Sequence, residues 1–143
     1  MDVPLKYSLT LIFLFACKFM NAQNITGCWQ TYRNEEFMQF NIEQQGNELC
    51  GYSYDYEIYD RRSYCKANFE GNYDTERKFW YFYGTGFIEN SGSHVLMRII
   101  LWRGKTDPEN VLRGKVFLQT SSNNVFGMGG DDVVIRKISG RPV

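Results

Sequence analysis

Apolar and polar residues alternate along much of the chain with a period of two. In one such stretch Met38, Phe40 and Ile42 are apolar, and Gln39 and Asn41 stand between them. Successive side chains of a β-strand point to opposite faces, so this pattern places the apolar set toward a core. No segment has the period of a helix, and the pattern therefore predicts an all-β protein.

Turn-forming residues divide the alternating stretches into eight predicted strands. The strands are predicted over Ile25–Tyr32, Glu36–Glu43, Leu49–Ile58, Tyr64–Glu70, Lys78–Tyr83, His94–Trp102, Val111–Gln119 and Asp132–Ile138. Eight short antiparallel strands with hairpin-length links close best into an eight-stranded antiparallel up-and-down β-barrel, because closure leaves no edge strand exposed. A two-sheet sandwich is the alternative architecture.

The fifth and sixth predicted strands are apolar or aromatic on both faces. A strand of this kind is usually covered on both sides, so we expect an exposed patch or a subunit contact on the outside of the barrel. Alternation also places a stripe of tyrosines on the outer face of the third strand. The residues predicted for a partner surface, which includes contact with a second copy of the chain, are Tyr52, Tyr54, Tyr56, Trp80, Phe82, Ile100 and Trp102.

The N-terminal residues 1–22 have the pattern of a signal peptide. Lys6 precedes the apolar run Leu9–Cys17, which is too short to span a bilayer as a stable anchor. Cleavage after Ala22 would release a single domain over residues 23–143. This pattern predicts a protein outside the cytoplasm, either periplasmic or secreted.

An alternative reading of the same segment gives an outer-membrane lipoprotein. The residues Leu14-Phe-Ala-Cys17 look like a bacterial lipobox, in which Cys17 becomes lipidated and provides the only predicted contact with a membrane. Cleavage after Ala22 is preferred, because Cys17 would leave almost no linker before the first strand.

The charge balance of the mature chain argues against nucleic acid as a partner. Residues 1–22 contain Lys6, Lys18 and Asp2, so their removal leaves 14 basic and 15 acidic residues and a net charge of −1. Without a basic excess, the chain has no means of neutralising a run of phosphates.

Three cysteines remain after cleavage, namely Cys28, Cys50 and Cys65. An oxidising compartment permits one disulfide among them. Cys50 with Cys65 is the first choice, because the two residues flank the turn of a predicted hairpin. The alternative is three small apolar residues packed as thiols.

Glycines and apolar positions along the chain carry a family resemblance. A Gly-x-Trp motif at Gly27 and Trp29 resembles the opening of lipocalin-like and avidin-like (calycin) barrels, and the closing Val133-x-Ile135-x-Lys137 is similar to small secreted lipocalin-like domains of Bacteroidota. The resemblance covers the mature chain and implies a barrel that holds a small apolar or amphipathic ligand. The candidate lining residues are Met38, Phe40, Ile42, Ser53, Asp55, Phe69 and Asp132.

The resemblance does not extend to biotin. Where avidin-like proteins have biotin-contacting polar residues on the first and third strands, this sequence offers Thr31, Ser53 and Asp55, and Phe117 stands in place of a later tryptophan. Only Asp132 matches in kind, so biotin binding is not expected.

Residues for catalysis or metal binding are sparse in the sequence. His94 is the one histidine, and no cysteine or carboxylate stands at ligand spacing beside it, so neither a zinc site nor a histidine-based triad is expected. Asp55 with Asp131 and Asp132 could form paired carboxylates, but surface turns explain these residues at least as well. The sequence therefore predicts no catalytic residue, no metal and no cofactor.

These observations predict a non-enzymatic extracytoplasmic binding protein. It would hold a small-molecule ligand in the barrel or a partner on its aromatic outer face. The alternative is a structural subunit of a bacterial cell-envelope or secretion assembly, lipid-anchored if Cys17 is modified. A barrel interior filled by side chains would favour the subunit, and an open interior would favour the ligand carrier.

Overall fold

Eight antiparallel strands form the fold in the computed structural model, which describes residues 23–119 and 130–143. They are β1 (Gly27–Arg33), β2 (Glu36–Gln45), β3 (Glu48–Glu57), β4 (Tyr64–Asp74), β5 (Phe79–Ser91), β6 (Met97–Trp102), β7 (Val111–Leu118) and β8 (Asp131–Ser139). Each strand pairs with its neighbours in the chain, and β1 also pairs with β8, so the sheet closes. The predicted eight-stranded antiparallel β-barrel is confirmed.

The described residues contain no helix, and hence none of the length and apolar character needed to cross a membrane. The predicted signal peptide over residues 1–22, with its alternative processing sites at Ala22 and Cys17, lies outside the described residues.

The strand bounds differ from the predicted ones mainly around β5 and β6. β5 continues to Ser91, whereas the predicted strand ends at Tyr83. The pairing of β5 with β4 shifts register twice, so Thr85 and Ile88 have no partner residue across the ladder. Such bulges change which side chains of a strand face inward. β6 then begins at Met97, so His94 lies in the β5–β6 loop and not on a strand.

Apolar side chains from all eight strands fill the barrel. The core consists of Ile25, Trp29, Met38, Phe40, Ile42, Leu49, Phe69, Trp80, Phe82, Ile99, Leu101, Leu112, Val116, Val133 and Ile135. A cavity beside these side chains has a volume of about 10 Å³ in which the centre of a water molecule fits. This is room for about one water. A small apolar ligand could enter only if core side chains moved.

One end of the barrel, which we call the plugged end, is closed by two tryptophans and an amide. The Trp29 indole N–H donates to the carbonyl of Ile25 at 2.8 Å, and the Trp80 indole N–H donates to Gln44 Oε1 at 3.2 Å. Gln44 Oε1 also accepts from the backbone N–H of Ile25 at 3.0 Å. Each buried polar atom named here therefore has a partner, as burial in an apolar core requires.

Gly51 shows why a closed barrel of this size needs glycine on an inner face. Its φ of 153° lies in the region that L side chains rarely adopt. A Cβ atom at this position would collide with the carbonyl oxygen of Asn41 and with the Phe69 ring. The glycine therefore lets β2 and β3 approach closely over the core.

Candidate functional site

The opposite end of the barrel, which we call the polar end, carries ionisable side chains on its inner face. Asp55 on β3 stands directly across the ladder from Cys65 on β4. On the other side it stands across from Met38 of β2, and Glu36 lies two residues away on the same face of β2. Strand register therefore brings two carboxyl groups and a thiol together where the apolar core ends.

His94 reaches the same place from the β5–β6 loop. Its Nδ1 lies 3.1 Å from Asp55 Oδ2, and its Nε2 lies 3.2 Å from Ser63 Oγ. Cys65 donates its S–H to the other carboxylate oxygen, Asp55 Oδ1, at 2.8 Å. Asp55 is thus the centre of a hydrogen-bonded group that joins β3, β4 and two loops.

Two members of this group, Asp55 and His94, are almost entirely shielded from water. The side chains of Asp55 and His94 are only 3% and 10% exposed. A buried charge is costly unless opposite charge and hydrogen bonds compensate it. Cys65 supplies a hydrogen bond to Asp55, and the His94 imidazole lies 3.1 Å from its second carboxylate oxygen.

Burial and like charge change the proton affinity of the neighbouring groups. Burial, the hydrogen bond to Asp55 and the charge of Asp55 raise the pKa of Glu36 to about 7, although Arg33 opposes the shift. Burial together with Asp55 also raises the pKa of the Cys65 thiol. Both groups therefore hold their protons more tightly than they would in water.

Arg33 forms the outer boundary of the polar end. Its guanidinium pairs with Asp131 at the start of β8, and one of its nitrogens lies 3.8 Å from Glu36 Oε2. Its Nε is buried and has no hydrogen-bond partner among the described residues. Arg33 lies close to the carboxyl groups of Glu36 and Asp55. Its closer contact, however, is with Asp131, which lies away from that pair.

The arrangement has the composition of a metal site. One ligand atom each from Asp55, Cys65 and His94 lie within 4.8 Å of one another. Oxygen, sulfur and imidazole nitrogen are the three donors that bind zinc in proteins, at about 2.0–2.3 Å from the ion. Ligands around such an ion stand about 3.5 Å apart, so coordination would require the longest of these separations to shorten by on the order of 1 Å.

The residues predicted to line a ligand cavity have different positions. Met38, Phe40, Ile42 and Phe69 are inward but are packed in the core, while Ser53 and Asp55 are inward and buried. Asp132 was expected to line the interior, and this is wrong. It lies on the outer face of β8, its side chain is 84% exposed, and it pairs with Lys115 at 2.9 Å.

The residues predicted for a partner surface divide between the two faces of the sheet. Five of the seven lie on the outer face of the barrel, and two lie inside it. Tyr52, Tyr54 and Tyr56 lie on the outer face of β3, opposite to Ser53 and Asp55. Aromatic rings continue from them across neighbouring strands, with centroid distances of 5.7 Å for Tyr54–Tyr56, 4.9 Å for Phe37–Tyr56, 5.2 Å for Tyr32–Phe37 and 6.3 Å for Tyr54–Tyr64.

Two aromatic residues were assigned to the wrong face. Trp80 and Phe82 are buried inside the barrel, because on β5 it is Phe79, Tyr81 and Tyr83 that point outward. Ile100 and Trp102 of β6 are partly exposed on the outer face. Whether a partner binds this surface stays a prediction from the sequence.

The expected Cys50–Cys65 disulfide is wrong. Cys50 is exposed on the outer face of β3 and Cys65 is buried on the inner face of β4, so their side chains point to opposite sides of the sheet. All three cysteines in the described part of the chain, including the buried Cys28, are free thiols.

Sequence reasoning missed Cys65, His94, Ser63 and Glu36 as members of one site. No cysteine or carboxylate stands at ligand spacing from His94 along the chain, but the fold brings Asp55 and Cys65 beside it. One signal was present: if the hairpin tip is centred near Asp60, Asp55 falls opposite Cys65. No comparable signal locates His94, which depends on a loop after two bulges.

Comparison of the chain with protein-family models, with curated proteins and with solved structures finds no significant match. The function is therefore argued from the geometry of the polar end.

Proposed function

We propose that this protein binds one divalent transition-metal ion of the zinc class at the polar end of the barrel. The ligands are Asp55, Cys65 and His94. The observation that carries the proposal is the convergence of a carboxylate oxygen, a sulfur and an imidazole nitrogen within 4.8 Å of one another. Mixed N, O and S donors favour zinc-like ions over calcium and magnesium, which prefer oxygen ligands.

The charge at the polar end supports a cation as the ligand. Asp55 and Glu36 are close enough to share a hydrogen bond in a buried setting, and Arg33 is drawn toward Asp131. Two adjacent carboxyl groups, of which Asp55 is buried and Glu36 is partly buried, must either retain a proton or gain a positive partner. A divalent ion bound by Asp55 and the Cys65 thiolate supplies that partner.

The space around Cys65 supports a site with an open position. The one-water cavity is bordered by one of the three ligand residues, Cys65, and by Ser53, which precedes Asp55 by two residues on the inner face of β3. Zinc sites with three protein ligands hold a water or another small ligand in the fourth position.

The contact between His94 and Ser63 supports Nδ1 as the coordinating nitrogen. If Nε2 carries the proton and donates it to Ser63 Oγ at 3.2 Å, the lone pair of Nδ1 is free to bind the ion. A hydrogen bond from the second ring nitrogen is the usual way in which proteins orient a metal-bound histidine.

The proposal changes the expected ligand but keeps the expected class of protein. The interior leaves room for about one water, which is too little for the apolar ligand expected from the family resemblance. A metal ion needs no larger cavity. The protein is thus proposed to be an extracytoplasmic binding protein whose ligand is a metal ion.

Titration of the metal-free protein with Co²⁺ tests the proposal, because a Co²⁺–thiolate bond gives a charge-transfer absorption that oxygen and nitrogen ligands lack. We expect the absorption to saturate at one ion per chain and to disappear when Zn²⁺ is added in excess. The Cys65→Ser variant should lose it, and Cys50→Ser, which removes a thiol on the outer face, should keep it.

Two results would contradict the proposal. One is the absence of saturable binding at micromolar metal in a protein that circular dichroism shows to be folded. The other is an unchanged charge-transfer absorption in Cys65→Ser. A His94→Gln variant provides a second test, since it should weaken binding without altering either thiol.

A further inference from the structure

The same group of residues contains a second arrangement with its own chemistry. Asp55 Oδ2 lies 3.1 Å from His94 Nδ1, and His94 Nε2 lies 3.2 Å from Ser63 Oγ. A carboxylate, an imidazole and a hydroxyl thus follow one another at 3.1 and 3.2 Å, and the imidazole shares a hydrogen bond with the hydroxyl. This is the order of groups by which proteins activate a serine as a nucleophile, and it occurs on unrelated folds.

Asp55 is held in the position that this arrangement requires. Cys65 donates its S–H to Oδ1 at 2.8 Å, which leaves Oδ2 for the imidazole. With the proton on Nδ1 donated to Asp55, the unprotonated Nε2 faces the hydroxyl of Ser63. Asp55 therefore acts as the residue that fixes both the orientation of the ring and the location of its proton.

Ser63 is positioned by the tip of the β3–β4 hairpin. Its backbone N–H donates to the carbonyl of Asp60 at 2.9 Å, and its own carbonyl accepts from the N–H of Glu57 at 3.1 Å. Across the site, the loop before His94 is attached to the same tip, because Ser91 Oγ donates to the carbonyl of Arg62 at 2.7 Å. The distance between Ser63 and His94 is therefore set by backbone contacts.

Gly92 lies beside the Ser63 hydroxyl and the His94 ring. Gly92 has a φ of 117°, and a Cβ atom there would stand 3.1 Å from Ser63 Oγ. Only glycine adopts this conformation readily and leaves the space beside the hydroxyl free. Ser63 is also only partly buried.

We propose that in the metal-free protein Ser63 is a nucleophile toward small carboxylic esters, with His94 as its general base. Ser63 Oγ bonds to the ester carbonyl carbon as its proton passes to His94 Nε2. The ester C–O bond then breaks, and the leaving alcohol takes that proton. Water releases the acyl group from Ser63 by the same route, which yields a carboxylic acid and restores the hydroxyl.

This inference goes beyond metal binding and does not depend on it. The two states exclude each other, because a metal ion on Nδ1 takes the place of the proton that Nδ1 shares with Asp55. Acylation is accordingly measured in the presence of a chelator. A failure of metal binding would leave the result unchanged.

The test treats the chelated full-length protein with p-nitrophenyl acetate and locates the acetyl group by peptide mass. We expect acetyl on Ser63 in preference to Ser91, the last residue of β5, and Ser93 in the β5–β6 loop. The His94→Gln variant should acetylate Ser63 at least 10²-fold more slowly, the range by which a general base accelerates such a step. The Ser93→Ala variant should match the unchanged chain.

Two outcomes would overturn the inference. The first is acetyl spread over surface lysines and tyrosines with none on Ser63. The second is acetylation of Ser63 at the same rate in folded His94→Gln as in the unchanged chain. The peptide map of the unchanged chain decides the question even if the His94 variant does not fold.

Discussion

Addition of Zn²⁺ to the metal-free protein should raise its thermal midpoint by about 10 °C when free Zn²⁺ is 100 times the dissociation constant. Asp55, Cys65 and His94 are joined only by the fold, since 10 and 29 residues separate them along the chain. The unfolded chain therefore has no preformed site. A ligand that binds only the folded state at this concentration contributes about 2.7 kcal/mol.

The size of the domain converts this free energy into a temperature. Each kcal/mol corresponds to about 4 °C for a domain between 100 and 150 residues, which gives the expected 10 °C. Differential scanning calorimetry in chelator-buffered Zn²⁺ measures the shift, and Cys65→Ser and Mg²⁺ serve as controls. An equal shift in Cys65→Ser or with Mg²⁺, or no shift with Zn²⁺, would refute the reasoning.

Three further predictions concern the site, the core and the thiols. Ser63→Ala should lower the affinity for Zn²⁺ by about 10- to 100-fold in a chelator-competition titration, because the hydrogen bond that orients His94 is lost, whereas Ser93→Ala should have no effect. Phe82→Ala should lower the free energy of unfolding, measured in urea, by about 3–5 kcal/mol, because the Phe82 and Phe69 ring centroids are 4.5 Å apart in the core. The control Tyr83→Ala, at an outward side chain, should lower it by less than about 1 kcal/mol. A thiol reagent should modify one cysteine, Cys50, in the folded metal-free protein, and modification of Cys65 at the same rate would contradict its burial.

The strand pattern could be predicted because alternation is a local property. Met38, Phe40 and Ile42 alternate with polar residues, and all three are buried as expected. On β5, Trp80 and Phe82 alternate with other aromatic residues, so the sequence contains no polar face from which to choose the inward set. Cross-strand packing makes that choice, and it favours Trp80 and Phe82.

The candidate site could not be predicted, because it depends on distant pairing. Asp55 and Cys65 meet through the register of one hairpin, which is partly readable from its turn. His94 joins them only because β5 extends past Gly84 with two bulges and returns through a loop of five residues, 92–96. Neither a bulge nor the path of such a loop leaves a periodic signal in the sequence.

The inner and outer positions of the cysteines illustrate the same limit. Cys50 and Cys65 flank a hairpin turn, and spacing alone suggested a disulfide. Strand alternation places Cys50 with the outward Tyr52 and Tyr54, while Cys65 stands opposite the inward Asp55. When spacing across a turn and strand alternation disagree, alternation decides, because a disulfide cannot join side chains on opposite faces of a sheet.

Anomalous diffraction at the zinc absorption edge, from crystals of the protein grown with Zn²⁺, tests the central claim most directly. The account predicts one strong peak at the polar end, about 2.0–2.3 Å from His94 Nδ1, Cys65 Sγ and an oxygen of Asp55. A zinc peak elsewhere, with the hydrogen bond from Cys65 to Asp55 still intact, would contradict it.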